Sequence, residues 1–216
     1  VSARAYTARI EEVRHMSINN LMTMILEHLM IVAIATVISV AVGVILGVIA
    51  YWARRPGMVI LWLAEAIQTI PSLALLALLM ILFGLGNSTI IAGLVLYALL
   101  PIVRNTHTGL EAIPPHIRDA EQGMGMSKLQ RLVKVELPMA FPMVFSGIKI
   151  AVVNSLSIAV MGVLIGAGGL GYPIYRGVQT QNLGRILSGA IPVMVMAVLF
   201  DFVMTKFEKR LVKQAK

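Results

Sequence analysis

The sequence predicts an all-α membrane protein that crosses the bilayer several times. Of its 216 residues, 58% are hydrophobic and 13% are charged, which is far more apolar than a typical soluble domain. The uncharged stretches 29–53 and 150–175 each exceed the ~18–20 residues needed to cross the hydrocarbon core. A third stretch, 66–103, is long enough for two crossings if the chain turns near 84–88.

Five transmembrane helices are predicted from apolar runs that lie between polar or turn-forming residues. They are placed at residues 21–51, 58–83, 89–110, 142–165 and 186–207. The first is expected to end at 54–57, where Arg-Arg-Pro-Gly combines a basic stop with a turn. The second contains Glu65, Gln68 and Pro71. The small-residue pairs Gly43/Gly47 and Gly162/Gly166 predict close helix packing.

Basic residues fall mostly on one side of the predicted spans. That side holds the loop 111–141, the C-terminus and most of the 18 Lys and Arg residues. Because cytoplasmic segments carry the excess of Lys and Arg, we expect the N-terminus outside and the loop and C-terminus in the cytoplasm. The same pattern explains the net charge of +8 without a nucleic-acid partner.

The chain is divided into three segments on this basis. Residues 1–20 are predicted to be a lead-in segment, 21–210 the transmembrane domain and 211–216 a cytoplasmic tail. No cleavable signal peptide is expected, because the first apolar span starts beyond residue 20 and is too long for the apolar core of such a peptide.

The loop 111–141 is the polar exception in this apolar chain. Pro114-Pro115 interrupts the chain after the third span, and residues 116–124 are compatible with a short helix. Gly125 offers a break, Ser127 is suited to cap a second amphipathic segment, and Pro138 is expected to end it. Such an element either lies along the membrane or inserts into a groove of another protein.

Several kinds of chemistry are excluded or disfavoured by composition and motifs. The chain has no cysteine, which excludes disulfides and thiol chemistry, and its four histidines show no metal-ligand spacing. The glycine-rich run 166–171 matches a dinucleotide fingerprint only literally, since it follows a membrane span and no βαβ pattern surrounds it. There is no phosphate-binding Walker A sequence, so we expect no catalytic residues, no metal and no bound cofactor here.

The loop resembles the signature of binding-protein-dependent ABC importer permeases. That signature reads Glu-Ala-Ala, three residues, Gly, nine residues, then Ile-x-Leu-Pro. Here Asp119-Ala120-Glu121 is followed, after three residues, by Gly125 and, after nine more, by Val135-Glu136-Leu137-Pro138. Asp119 in place of Glu and Val135 in place of Ile are mild replacements. Glu121 in place of the second Ala alters the charge of the element but not its length.

Three further segments, 68–77, 97–106 and 166–171, are similar to the osmoprotectant branch of this family, which imports glycine betaine, carnitine and choline. The resemblance implies a type I importer permease in the bacterial plasma membrane. Its implied partners are two ATPase subunits that bind ATP, a second identical or homologous permease, an extracytoplasmic binding protein and the surrounding lipid.

The resemblance also implies that the loop docks in a cleft of the ATPase and carries its motion to the spans. The carboxylates of Asp119 and Glu121 would contact basic or amide groups of the ATPase, and Leu129, Leu132 and Val133 would pack in or beneath the cleft. The docking residues implied in this way are Asp119, Ala120, Glu121, Gly123, Gly125, Leu129, Leu132, Val135, Leu137 and Pro138.

Polar and proline residues within the spans are the candidates for the translocation pathway. They are Glu65, Gln68, Pro71, Tyr97, Asn154 and Ser157. An intramembrane carboxylate is a functional candidate, but Glu65 is favoured as the partner of Arg104 or Lys149 in a structural ion pair. Aromatic residues are sparse, and we expect selectivity to reside mainly in the binding protein.

Three alternatives to an osmoprotectant permease are considered. The cargo could be another methylated zwitterion or an amino acid carried by a related importer. An ion-coupled secondary transporter would use Glu65 and Asp201 as coupling groups, although such transporters typically contain repeated halves and none is evident here. A membrane scaffold would use the loop only to recruit a soluble protein.

Overall fold

The computed structural model describes residues 18–214, and all regular structure in that range is helical. Besides α-helices it contains a π turn, Leu132–Glu136, and a 3₁₀ turn, Ala159–Ile165. The predicted lead-in lies almost wholly outside the described residues. In chain order the helices are α1 (Ile18–Trp52), α2 (Arg54–Thr69), α3 (Ser72–Phe83), α4 (Asn87–Glu111), α5 (Pro115–Gly123), α6 (Lys128–Arg131), α7 (Leu137–Ile158), α8 (Gly171–Gln179) and α9 (Leu183–Gln214).

Within residues 18–214, four helical stretches are long and apolar enough to cross a membrane. They are Asn20–Trp52, Asn87–Glu111, Lys128–Ile165 and Leu183–Val212. The predicted second span is instead a pair of helices, Arg55–Thr69 and Ser72–Phe83, bent by 104°. Counting the pair as one span gives the predicted five. The break follows from Pro71, because a residue before proline is driven to extended backbone, and Ile70 has φ −71° and ψ 127°.

One predicted turn and one predicted helix end are wrong, although α1 ends at Trp52, within one residue of its predicted end. The segment 54–57 is not a loop, because only Ala53 separates α1 from α2, and Pro56 lies in the first turn of α2, where no N–H partner is needed. Gly57 permits this tight junction, since a Cβ there would lie 2.3 Å from the Ala50 carbonyl oxygen.

Pro138 does not end the second loop segment, because helix runs without a gap from Lys128 to Ile165. Directly before it, the Leu137 N–H donates to the Leu132 carbonyl in a five-residue π bond. A π turn is wider than an α turn and leaves room for the proline ring, which would otherwise clash with the preceding turn. The predicted fourth span therefore begins earlier than residue 142.

The described residues form two compact units. The first comprises the described part of Val1–Ile34, Ser72–Leu94 and Leu156–Leu199. The second comprises Ala35–Pro71, Val95–Ser155 and the described part of Phe200–Lys216. The second unit carries the loop and five of the six pathway candidates.

Close packing in the second unit is built on glycines, as predicted for Gly43 and Gly47. A Cβ at Gly43 would lie 2.7 Å from Ile102 Cγ2, and one at Gly47 would lie 2.5 Å from Thr106 Cβ, so α1 and α4 touch through these positions. A separate core cluster lies nearer the loop and consists of Val48, Leu110, Ile113, Leu132, Ala140 and Val144.

In the first unit, a glycine-rich turn is held by α1. The Gly169 N–H donates to Glu27 Oε2 at 3.1 Å, and His28 Nε2 donates to the Leu156 carbonyl at 3.0 Å. Gly162 packs as predicted, since a Cβ there would lie 3.2 Å from Ile90 Cγ1. Gly166 does not pack against a helix. It has φ +72° and ends the 3₁₀ turn in a left-handed conformation that favours glycine.

Candidate functional site

The loop between α4 and α7 is an elbow made of α5, a left-handed turn at Gly125, and α6. Pro115 occupies the first position of α5, where its missing N–H costs nothing. At the other end the Gly125 N–H donates to the Gln122 carbonyl at 2.9 Å and the Met126 N–H to the Glu121 carbonyl at 3.1 Å. With φ +72° at Gly125, these bonds form a Schellman motif that ends α5 in a defined direction.

The second arm of the elbow starts with a capping box. Ser127 Oγ accepts a hydrogen bond from the Gln130 N–H at 3.3 Å, and Gln130 Oε1 accepts one from the Ser127 N–H at 2.9 Å. Both ends of the turn are therefore fixed by hydrogen bonds, and the predicted roles of Gly125 as break and Ser127 as N-cap are confirmed.

The apolar side chains of the elbow divide into an outward and an inward set. Met124, Leu129 and Val133 are exposed large hydrophobic residues, although charged Lys128 and Lys134 lie beside them. Exposed apolar groups gathered on a polar loop are typical of a contact surface. The other docking residues also exposed are Asp119, Ala120, Gly123, Gly125 and Pro138, while Val135 and Leu137 are half-buried.

The expected contacts of Leu132 and Glu121 with the ATPase do not fit the structure. Leu132 is buried in the core cluster with Leu110 and Ile113, so the predicted apolar stripe keeps only Leu129 and Val133 on its outer side. Glu121 is only 1% exposed. Glu121 on α5 and Leu132 in the π turn are therefore both enclosed by the permease itself.

A cluster of charged and aromatic residues lies at the base of the elbow. The Tyr51 hydroxyl donates to Glu136 Oε1 at 3.3 Å, and the Arg118 guanidinium lies 5.5 Å from the centre of the Tyr51 ring. Arg118 also donates to the carbonyls of Leu110 and Glu111, at 2.9 and 3.0 Å, at the C-terminal end of α4. The elbow is thereby tied to α1 and α4.

Sequence reasoning missed Arg118, Tyr51 and Glu136 as residues that position the elbow. The available signal was the spacing of Arg118 and Glu121, which are three residues apart and so share one side of α5. Nothing in the sequence pairs Tyr51 with Glu136, which are 85 positions apart.

Four of the six pathway candidates are brought together where α2 meets α4. Arg104 Nη2 forms an ion pair with Glu65 Oε1. Gln68 Nε2 donates to the Tyr97 carbonyl at 2.6 Å, and the Tyr97 hydroxyl donates to the carbonyl of Ile70, the residue before Pro71. Of the two partners expected for Glu65, Arg104 is used.

Lys149, the other expected partner, is paired with Glu208 at 2.6 Å instead. Asn154 and Ser157 are exposed on α7, and no described hydrogen bond or ion pair joins Asn154 to the four residues at the α2–α4 contact. Asp201 is exposed on α9. The roles of these residues in a pathway stay predictions.

The family described as "Binding-protein-dependent transport system inner membrane component" matches residues 39–213, which include the whole elbow. The chain belongs to this family. It is a multi-pass permease of the inner membrane, and the prediction of an all-α importer permease is confirmed. The family assignment also favours a permease over a secondary transporter or a scaffold.

Relatives and solved structures agree with this assignment. The chain is 38% identical over 190 residues to the osmoprotectant import permease protein OsmW of Salmonella typhimurium, covering 84% of this chain and 87% of that protein. It is 42% identical to the choline transport system permease protein OpuBD of Bacillus subtilis, covering 86% and 82%.

The fold is shared with two importers of known structure. One is the inward-facing methionine ABC transporter MetNI, with a TM-score of 0.80, 21% identity, and coverage of 88% of this chain and 95% of that chain. The other is an amino acid ABC transporter crystallised with histidines, with a TM-score of 0.74, 16% identity, and coverage of 97% and 99%.

Proposed function

We propose that this chain forms the translocation pathway of an ATP-driven importer for a small quaternary-ammonium osmoprotectant of the glycine betaine, carnitine or choline type. Support comes from relatives named for such solutes, including a glycine betaine/carnitine/choline permease of Bacillus subtilis that is 41% identical. An importer for another methylated zwitterion or for an amino acid is the alternative, since the structural neighbours are amino-acid transporters.

The elbow carries the proposal for coupling. Its turn is fixed on both sides, by the Schellman bonds at Gly125 and by the capping box at Ser127, and it presents Met124, Leu129 and Val133 outward. A rigid element with an apolar outer side transmits the displacement of whatever protein binds it. In this proposal that protein is the ATPase, which binds the ATP, and the present chain catalyses no reaction.

The rest of the assembly follows from the same proposal. The permease pairs with a second identical or homologous permease, works with two ATPase subunits, and receives its cargo from an extracytoplasmic binding protein. The excess of Lys and Arg supports an N-terminus outside, with the elbow and C-terminus in the cytoplasm.

Uptake of labelled glycine betaine into proteoliposomes that contain the complete importer tests the function. Uptake is expected to require ATP on the ATPase side and to be unaffected by collapse of sodium and proton gradients. Uptake driven by an ion gradient without ATP would reject the proposal. Choline, carnitine, methionine and histidine in competition would identify the cargo class.

Gly125→Pro tests the coupling role. Proline fixes φ near −65° and removes the N–H that donates to Gln122, so the turn of the elbow cannot form. We expect loss of ATPase association, measured by co-purification, with membrane insertion intact. Gln122→Ala is the matched control, since it shortens an exposed side chain of the same helix outside the docking set and keeps the backbone carbonyl that accepts from Gly125. Normal uptake by Gly125→Pro would refute the docking role.

A further inference from the structure

We infer that Glu65 and Arg104 together form a binding subsite for a zwitterion in the second unit, with Arg104 for the carboxylate and Glu65 for the quaternary ammonium. The inference rests on the proposed function, because it assigns a residue pair to the pathway of that importer. Both residues lie in segments that are apolar enough to cross the membrane, Glu65 in the bent pair and Arg104 in α4.

The exposure of the pair argues against a purely structural role. The side chains of Arg104 and Glu65 are 55% and 45% exposed. A charged side chain that faces lipid within a membrane span is costly. Because both residues lie in apolar segments long enough to cross a membrane, a half-exposed pair there is expected to face water or another protein chain.

A second intramembrane pair in the same unit gives the contrast. Lys149 and Glu208 lie 2.6 Å apart, their side chains are 19% and 20% exposed, and Lys149 also donates to Thr205 Oγ1 at 3.4 Å. That pair is enclosed and joins α7 to α9, as expected of a structural contact. Glu65 and Arg104 form the more open pair.

Arg104 lies on the side of α4 that meets α2 through Glu65, and two other sides of the helix are packed more closely. One side of the helix meets α1 at Ile102 and Thr106, and another meets α7, where a Cβ at Gly147 would lie 2.5 Å from the Pro101 carbonyl oxygen. Arg104 lies on neither of these packed sides.

Polar groups continue from the pair toward the elbow. One turn after Arg104, His107 Nδ1 lies 3.7 Å from Glu111 Oε2. His107, Glu111 and Arg118 share the lining of a cavity of about 510 Å³ with Tyr51. Polar side chains thus follow the pair along α4 toward Tyr51 and Arg118, although neither Glu65 nor Arg104 lines that cavity.

The chemistry of the pair matches a zwitterion. A guanidinium binds a carboxylate with two parallel N–H donors, and a quaternary ammonium, which has no N–H, is bound through charge or an aromatic face. A ligand with both groups can replace the internal ion pair and leave each protein charge with a partner. A cation without a carboxylate would occupy Glu65 and leave Arg104 unpaired.

The test measures binding of glycine betaine and choline to the assembled importer in nanodiscs, without binding protein. Equilibrium dialysis with labelled ligand gives the dissociation constants. Arg104→Gln, Glu65→Gln and, as the control, Lys149→Gln are compared.

Loss of one charge-assisted contact is expected to raise the Kd of glycine betaine about tenfold or more in Arg104→Gln. The Kd of choline should not rise, because choline leaves Arg104 unpaired and the substitution removes that cost. Glu65→Gln should weaken both ligands, and Lys149→Gln neither. Equal weakening of both ligands by Arg104→Gln, or no saturable binding to the wild type, overturns the inference. ATP-driven uptake of glycine betaine under either result would leave the proposed function standing, whereas absent uptake would remove it.

Discussion

The side chain of Glu121 is buried, and neither of its carboxylate oxygens accepts a hydrogen bond from any described residue. It shares the base of the elbow with Glu136, which does have a partner in Tyr51. An unpaired buried polar group costs about 1–3 kcal/mol. Glu121 also stands where the family signature has alanine, so this departure from the signature coincides with a local energetic cost.

Glu121→Ala is therefore expected to raise the free energy of unfolding of the permease by about 1–3 kcal/mol, because it removes an unsatisfied group. Glu136→Ala is the matched control and should destabilise, since it leaves the Tyr51 hydroxyl without its acceptor. Thermal unfolding of the two variants in the same nanodiscs measures both effects. A lower melting temperature for Glu121→Ala would mean that its carboxylate has a partner in the assembled importer.

At the same scale, the sequence identified residue types better than residue environments. Gly125 and Ser127 were predictable because a left-handed turn and an N-cap each demand few residue types. The inward orientation of Leu132 was not, since it depends on the distant core residues Leu110 and Val144. Sequence rules for turns and caps predict the backbone conformation of a short segment, whereas the burial of a side chain depends on residues that are distant in the sequence.

Among the helices, the α2–α3 pair shows that a residue can predict a break in a helix without predicting the size of the bend. Pro71 makes a break predictable, but a proline alone gives anything from a shallow kink to the observed bend of 104°. Beside the break, the Tyr97 hydroxyl donates to the Ile70 carbonyl and the Tyr97 carbonyl accepts from Gln68. These two hydrogen bonds hold the end of α2 against α4.

Tyr97→Phe should loosen the contact between the end of α2 and α4 without removing the break at Pro71. The change leaves the Ile70 carbonyl without its side-chain donor and is expected to cost about 1 kcal/mol. Faster hydrogen exchange confined to residues 67–73 would show the effect. Tyr172→Phe is a suitable control, because Tyr172 is exposed on α8. Unchanged exchange in Tyr97→Phe would show that this hydrogen bond does not stabilise the end of α2.

At the scale of the whole molecule, composition was enough to predict the class of protein, a helical membrane protein, and nearly enough to predict the positions of its spans. Four apolar runs became four long helices, because a backbone in lipid must satisfy its hydrogen bonds within the segment. The turn predicted at 54–57 and the helix end predicted at Pro138 are wrong, because Gly57 and the π turn allow one helix to follow another directly. Such junctions depend on close contacts between backbone segments, which a hydropathy profile does not reveal.

Membrane orientation is testable at this scale because the chain contains no cysteine. Gln122→Cys on α5 and Gln179→Cys on α8 both replace exposed residues. A membrane-impermeant maleimide applied to spheroplasts should label residue 179 and reach residue 122 only after permeabilisation, because the basic side is expected in the cytoplasm. Labelling of residue 122 in intact spheroplasts would show that the orientation is opposite to the one expected.

The π turn at Leu132–Glu136 also constrains how this permease can be altered. It inserts one residue into the α-helical ladder, and each residue of a helix corresponds to about 100° of rotation about its axis. Shortening the stretch by a single residue would leave a regular helix, but it would rotate Leu129 and Val133 about the helix axis relative to α7. A chimera that borrows the ATPase of another importer would therefore have to exchange residues 119–138 as one block, without changing their number.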